Sequence, residues 1–353
     1  MTEREWLDIG YDKGIIELNK EEEVTFRDAY KKWFVMKMGF NRPPTMDRIE
    51  VTYNRYYAPE PLFDKCISKI TDNEILHFLM RCILTWNVNY KELGRIMQVV
   101  TGTLNYMRDI GIGGCPLHDW EKIKRNLPLE TLETGFKQEH AVSGKDVKIL
   151  INKVLKEDIY PLKRNTALCL CMNFYLGLRI GELASLTFND FDFEKGIVKI
   201  TKTESKSYCR DDTGEKIGTM VYTTSDNCKT VYSVREIPIV PEVVHIYNCI
   251  KKNHEYNGYE SALLCYDGKE VIAIRQLDRT LRRLCDLCDI PRFNSHMIRK
   301  TFGTIMHFNN VPTRVISDLM GHSEIGTTEN CYLLSYDKNY EQYREYMRKG
   351  LQY

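Results

Sequence analysis

The residue types that could do chemistry concentrate in the C-terminal half of this 353-residue chain. Arg179 follows a Gly-Leu pair and precedes Gly181-Glu182-Leu183. His296 and Arg299 stand three apart in HMIRKTFGT, a spacing that puts both on one face of a helix. His322 follows Gly321 in LMGHSEIGTTENCY, and Tyr332 comes ten residues later. Guanidiniums offer planar forks of donors to phosphate oxygens and stay charged at any working pH. Preorganised charge of this kind stabilises a phosphoryl-transfer transition state. A phenol can attack phosphorus and hold the product as a phosphotyrosine ester, which conserves the energy of the broken bond. The leaving oxygen then needs a general acid, and the phenol a base. Taken singly, each segment also has an ordinary reading: a surface arginine, a chance HxxR, one tyrosine among 22.

Taken in order, with connecting text such as VPTRVISDLMGHS, the segments resemble the catalytic signature of the tyrosine recombinases, the phage-integrase family. The resemblance runs from about Lys145 to Tyr340. It implies a site-specific DNA recombinase that cuts and rejoins strands without metal or cofactor. It makes Tyr332 the nucleophile, sets Arg179 and Arg299 on the scissile phosphate, and gives His322 a further hydrogen bond to it. His296 becomes the proton acceptor near the tyrosine. The family's lysine general acid sits on a β-hairpin between the first arginine and the HxxR segment. Lys229 is chosen, six residues before Arg235 in CKTVYSVREIPI; Lys202 in VKITKT is the competitor, because hairpin register is poorly fixed by sequence. Tyr336 is the alternative nucleophile and fits the motif worse.

Two departures mark the chain. Ser205 to Thr224 is longer than in many relatives and contains TGEKIG, an expected extra hairpin. The histidine-to-tyrosine spacing is one residue longer than in several relatives. Both lean toward integration and excision of a prophage or conjugative element; a chromosome-dimer resolvase is the nearest alternative. A type IB topoisomerase shares the catalytic set. A non-catalytic DNA-binding protein is the rival of a different class, and it would not need every catalytic position filled. The implied partners are double-stranded recombination sites, a homotetramer on DNA, and accessory DNA-bending or excisionase proteins.

The elements that must position these residues divide the chain into a segment 1–21, a helical core-binding domain 22–125, a linker 126–144 and a catalytic domain 145–353. The fold class is mainly α with a small antiparallel sheet (α+β). Phe26, Tyr30, Trp33 and Phe34 recur at helical spacing behind Thr25 as cap. Pro43 and Pro44 end that helix, and Thr45 is read as the cap of the next. Further helices are expected at Asp72–Thr85 and Tyr90–Met107, and no clean period-two segment appears before residue 125. Beyond the linker, helices are expected at Asp146–Lys156, Arg164–Tyr175 and from Pro241 onward. Strands are expected within Phe191–Ile200, at Thr219–Thr224 and at Val231–Val240. No full arm-binding domain is expected within the residues ahead of Glu22.

Composition supplies bounds. Fifty basic and 49 acidic residues leave a net charge of +1, so any nucleic-acid surface must come from local clustering. The candidates are Arg42, Thr45, Arg48, Arg55, Lys91 and Arg95 in the helical domain. In the catalytic domain Arg275, Arg279, Arg282 and Arg283 suit backbone contacts rather than base readout. The longest apolar run, Ala167–Leu178, is too short to span a bilayer, and MTEREWLDIG has no secretory pattern. A cytoplasmic, nucleoid-associated protein is expected. The 12 cysteines are scattered and read as free thiols; the pair Cys285 and Cys288 lacks a second ligand pair and reads as part of a helix, so no metal is expected. After the nucleophile, Tyr336, Tyr340, Tyr343, Met347 and Leu351 form one helical face. Packing on its own domain is the ordinary reading of such a face; the resemblance implies instead that the helix docks on a neighbouring protomer.

Overall fold

The computed structural model describes residues 23–133, 141–156, 163–225, 234–268 and 274–321. It is mainly helical with small sheets, as the sequence predicts. Two compact units share the chain: Met1–Lys137 with Lys206–Val221, and Gln138–Ser205 with Tyr222–Tyr353. Among the described residues, no helix is long and apolar enough to cross a membrane.

The first unit is built on helices. Helix α1 (Phe26–Met38) starts where the Thr25 hydroxyl accepts from the Asp28 N–H, the cap read from the sequence. Helix α2 (Pro43–Tyr56) corrects the expectation for Thr45. Its N-cap is Arg42, and Thr45 lies inside the first turn with its N–H on the Arg42 carbonyl at 2.8 Å. Proline fits the first helical position because its missing N–H falls where no intrahelical acceptor exists. The pair Pro43-Pro44 therefore opens the helix instead of preceding it. Helix α3 (Asp72–Trp86) begins with a reciprocal capping box between Thr71 and Glu74. Helices α4 (Tyr90–Asp109) and α5 (Trp120–Arg125) follow, capped by Asn89 and Asp119. Trp33, Phe26, Tyr57, Phe63, Phe78 and Ile96 fill the space between them.

The second unit opens with α6 (Gly144–Lys156). Helix α7 (Arg164–Leu176) is buried on nearly every side. Its N-terminus is closed by the Asp267 carboxylate, which accepts from the Asn165 N–H at 2.8 Å and the Thr166 N–H at 3.1 Å. A short α8 (Ile180–Ala184) leads to strands β1 (Phe191–Asp192) and β2 (Ile197–Ile200). Strands β3 (Thr203–Arg210) and β4 (Lys216–Ser225) form a two-stranded hairpin, and β5 (Arg235–Pro238) completes a second sheet in the order β1-β2-β5. Both pairings of that sheet are antiparallel, with Ile200 opposite Arg235. Helices α9 (Pro241–Asn257), α10 (Ile274–Leu287), α11 (Ser295–Phe308) and α12 (Thr313–Met320) follow. The expected strand at Val231–Val240 is shorter, because Pro241 starts a helix; residues 231–233 lie outside the described residues. Cys285 and Cys288 are buried in the core around α7.

The expected extra hairpin exists, turning at Asp211–Glu215. Its tip belongs to the first unit. The Arg210 side chain, only 6% exposed, donates to Asp47 Oδ1 at 2.7 Å and Glu50 Oε2 at 2.5 Å, both on α2. Its guanidinium lies 5.0 Å from the Phe34 ring centre. Lys216 reaches Glu50 at 2.9 Å, and the Tyr208 N–H donates to Asp47 at 3.0 Å. Burial alone raises the Glu50 carboxyl; the hydrogen bonds and charges of Arg210 and Lys216 outweigh it and hold it below the ordinary range. Removing one partner of a buried ion pair strands the others. Arg210→Met is therefore expected to cost about 3–5 kcal/mol in a denaturant melt. Because the Glu50 pKa is depressed on folding, its contribution is full above about pH 4.5 and is lost as pH falls through the folded value. Acidification in that window should destabilise the native chain more than the variant.

Candidate active site

The Gly-Leu-Arg motif is explained by the end of α7. Gly177 caps the helix in the left-handed region at φ +60°, and a Cβ there would sit 2.4 Å from Phe302 Cδ1. The turn buries Leu178, and Arg179 emerges as the residue that opens α8. Glu182 then folds back: its carboxylate accepts from the Arg179 backbone N–H and from Arg179 Nη1, each at 2.9 Å. Gly181 must also be glycine, since a Cβ there would lie 2.5 Å from the Glu204 carbonyl oxygen.

Glu182 is buried, with a side chain 2% exposed, and Arg235 from β5 faces it. Arg235 Nη2 donates to Oε2 at 2.9 Å and Nη1 to Oε1 at 3.2 Å. Desolvation alone would raise the Glu182 carboxyl. The Arg235 hydrogen bond, followed by the charges of Arg235 and Arg179, reverses this and holds it below the ordinary glutamate range.

All three arginines then meet one helix end. Arg235 Nε donates to the Leu319 carbonyl at 2.7 Å, Arg299 Nη2 to Met320 at 2.5 Å, and Arg179 Nη2 to Gly321 at 2.8 Å. These are successive carbonyls at the C-terminus of α12, where intrahelical donors run out and the dipole is negative. Arg299 also donates to the Gly177 carbonyl at 2.9 Å, which ties α11 to the turn ahead of Arg179. The Arg179 side chain is 39% exposed, whereas Arg299 is 3% exposed. The site thus holds two kinds of cation: one facing water and two within the protein.

Of the residues chosen from the sequence, Arg179 and Arg299 converge here, and His296 is exposed one helical turn ahead of Arg299 on α11. Lys202 sits between β2 and β3 with Nζ 3.9 Å from Asp190. Lys229, His322, Tyr332, Tyr336 and the C-terminal tyrosine stripe lie outside the described residues. Glu182 and Arg235 were not chosen as site residues. Their signals were an Arg-x-x-Glu spacing across a helix start and a lone arginine on the inward-facing register of an alternating strand. Among the described residues there is no group of three or more His, Cys, Asp or Glu side chains able to hold a metal ion.

The candidates for DNA contact are distributed over both units. In the first, Arg42, Arg48, Arg55 and Lys91 are exposed. Thr45 is half-buried, and Arg95 is paired with Glu92. The Arg55 guanidinium lies 5.1 Å from the Tyr56 ring centre and 5.7 Å from that of Trp86. In the second, Arg275, Arg279, Arg282 and Arg283 are all exposed on α10, while Leu277, Leu281 and Leu284 face its core.

Comparison with known proteins identifies the family and the fold. The model of the phage integrase family matches residues 142–339, more than half of the chain. A tyrosine recombinase XerC-like protein of Caldanaerobacter subterraneus subsp. tengcongensis is 24% identical over 326 residues, covering 88% of this chain and 79% of that protein. Among solved structures, the Tn1549 transposon integrase in complex with transposon right end DNA has a TM-score of 0.70 at 18% identity. That match covers 93% of this chain and 100% of the integrase. A lambda integrase tetramer bound to a Holliday junction has a TM-score of 0.59 at 12% identity, covering 90% of this chain and 81% of that one. The family model spans the segment that carries Arg179, Glu182, Arg235 and Arg299, and the chain belongs to the phage integrase family of tyrosine recombinases.

Proposed function

We propose that this recombinase integrates and excises a mobile DNA element, a prophage or a conjugative element, through a 3′-phosphotyrosine intermediate. The observation that carries the reading is the cluster of guanidiniums at the end of α12, immediately ahead of His322. In this mechanism the Tyr332 hydroxyl attacks the scissile phosphorus and the P–O5′ bond breaks. His296 takes the phenolic proton, and Lys229 donates a proton to the leaving 5′ oxygen. Arg179, Arg299 and His322 stabilise the charge on the non-bridging oxygens. Attack by a 5′ hydroxyl from the other duplex reverses each step and releases the tyrosine.

Two duplexes exchanged in four such steps call for a homotetramer on DNA, and the Holliday-junction tetramer of lambda integrase is a similar fold in that arrangement. The helical domain 22–125 and the catalytic domain 145–353 would hold the duplex through Arg42, Arg48, Arg55 and Lys91 and through the arginines of α10. The extra hairpin and the likeness to a transposon integrase support a mobile element. The XerC-like relative supports the second reading, a chromosome-dimer resolvase with the same chemistry. Accessory DNA-bending or excisionase proteins would set the direction. The protein would work at the nucleoid.

Three outcomes test the chemistry. The substrate is a nicked duplex recovered from a randomised pool as a covalent adduct with the wild-type chain. Tyr332→Phe should bind it and form no SDS-stable adduct. An adduct that persists there and disappears in Tyr336→Phe would move the nucleophile. Cleavage should proceed at full rate in EDTA, since guanidiniums supply the charge that metal ions supply elsewhere; strict magnesium dependence would contradict the mechanism. Lys229→Ala should recover cleavage when sulfur replaces the bridging 5′ oxygen, because a thiolate leaves without a general acid. Recovery of Lys202→Ala instead would reverse the lysine assignment.

A further inference from the structure

We infer that Arg235 is a positioning residue for the reaction, acting through Arg179 without touching DNA. The inference rests on the recombinase reading given above. Arg235 has a side chain 5% exposed, and each of its three nitrogens is engaged by a protein acceptor: Nε by the Leu319 carbonyl, Nη1 and Nη2 by the Glu182 carboxylate. It is placed at the head of β5, where backbone pairing with Ile200 of β2 fixes its origin. From there its guanidinium reaches both anchors of Arg179. One anchor is the Glu182 carboxylate, both of whose oxygens accept from Arg235. The other is the end of α12: Arg235 holds the Leu319 carbonyl, and Arg179 holds the Gly321 carbonyl two residues on.

The physical consequence is a division of donors. A buried carboxylate draws every available cation toward it, because little water competes. With Arg235 in place, Glu182 is already matched on both oxygens, and Arg179 gives it one guanidinium nitrogen and its backbone N–H. Without Arg235, Arg179 would be the remaining guanidinium on Glu182 among these contacts. The fork would turn inward and its exposed edge would no longer face a phosphate. The Leu319 carbonyl would lose its Arg235 donor at the same time, loosening the helix end that holds Arg179 Nη2. Arg235 thus keeps Arg179 aimed outward by satisfying its competitor. A lysine cannot substitute, since one ammonium lacks the planar fork that meets both carboxylate oxygens while a third nitrogen meets a carbonyl.

The test is a double-mutant cycle in single-turnover cleavage of the captured duplex described above. Arg235→Lys keeps the buried charge and should slow adduct formation about 100-fold while site binding changes less than about 3-fold. In an Arg179→Ala background the same substitution should slow the reaction less than about 3-fold further, because its target is already gone. An equal loss in both backgrounds would mean a general structural defect and would overturn the proposal. No loss in either would overturn it as well. Should Arg235→Lys melt well below the native chain, the cycle is run with Arg235→Gln paired with Glu182→Gln. That pair leaves no unmatched buried charge, and the same non-additivity is expected. If the wild-type chain captures no duplex at all, it is the recombinase reading that fails, and the two failures are thereby told apart.

Discussion

Three neighbouring carbonyl oxygens at the end of one short helix govern the catalytic half of this protein. Leu319, Met320 and Gly321 come from the last turn of α12, where a helix has acceptors without donors. Each is met by a guanidinium from a different part of the chain: the start of α8, the head of β5, and the middle of α11. The arrangement fixes those elements against one point. It also sets where the chain must leave α12, at Gly321 with φ +65°, before it enters the segment that carries His322. Satisfying a helix end with charged donors is stronger than a neutral hydrogen bond, and each donor is itself held elsewhere. Glu182 and the Gly177 carbonyl supply those second holds.

Burying this much charge requires that every partner be present. Glu182 stays ionised against its desolvation because two guanidiniums face it. The same logic recurs in the first unit, where Arg210 is enclosed by Asp47, Glu50 and the Phe34 ring. In both places the gain is definition of geometry more than stability, since buried pairs recover in Coulomb attraction little beyond what desolvation costs. Definition is what phosphoryl transfer demands, because a misplaced cation stabilises a transition state poorly.

Much of this was legible in the sequence. The cap at Thr25 and the helices of both units follow from local patterns, and the resemblance drew attention to Arg179 and Arg299, which the structure brings to one helix end. The misses share a cause. Glu182 and Arg235 lie 53 residues apart, and a buried ion pair leaves no periodic trace in either segment. Thr45 looked like a cap because its type favours one; the prolines ahead of it decided the matter by starting the helix first. The alternation in the inserted hairpin announced strands, yet alternation reports that a face is buried, not against what. That its tip packs on α1 and α2 depends on Arg210, Gly214 and Lys216 meeting Phe34, Asp47 and Glu50, pairs that are remote in sequence.

That hairpin has a consequence for how the protein is made. The chain crosses between its two units at Lys137, again before Lys206, and again after Val221. The helical unit is therefore unfinished when its own helices have been synthesised. Some eighty residues separate Lys137 from Val221, several seconds of translation at about 5–20 residues per second. Through that interval Asp47 and Glu50 stand as hydrated carboxylates and one face of Phe34 lacks its cation. The arriving hairpin closes them in, so the N-terminal half of the nascent chain acquires its final surface only after residues 138–205, about a third of the second unit, have been synthesised.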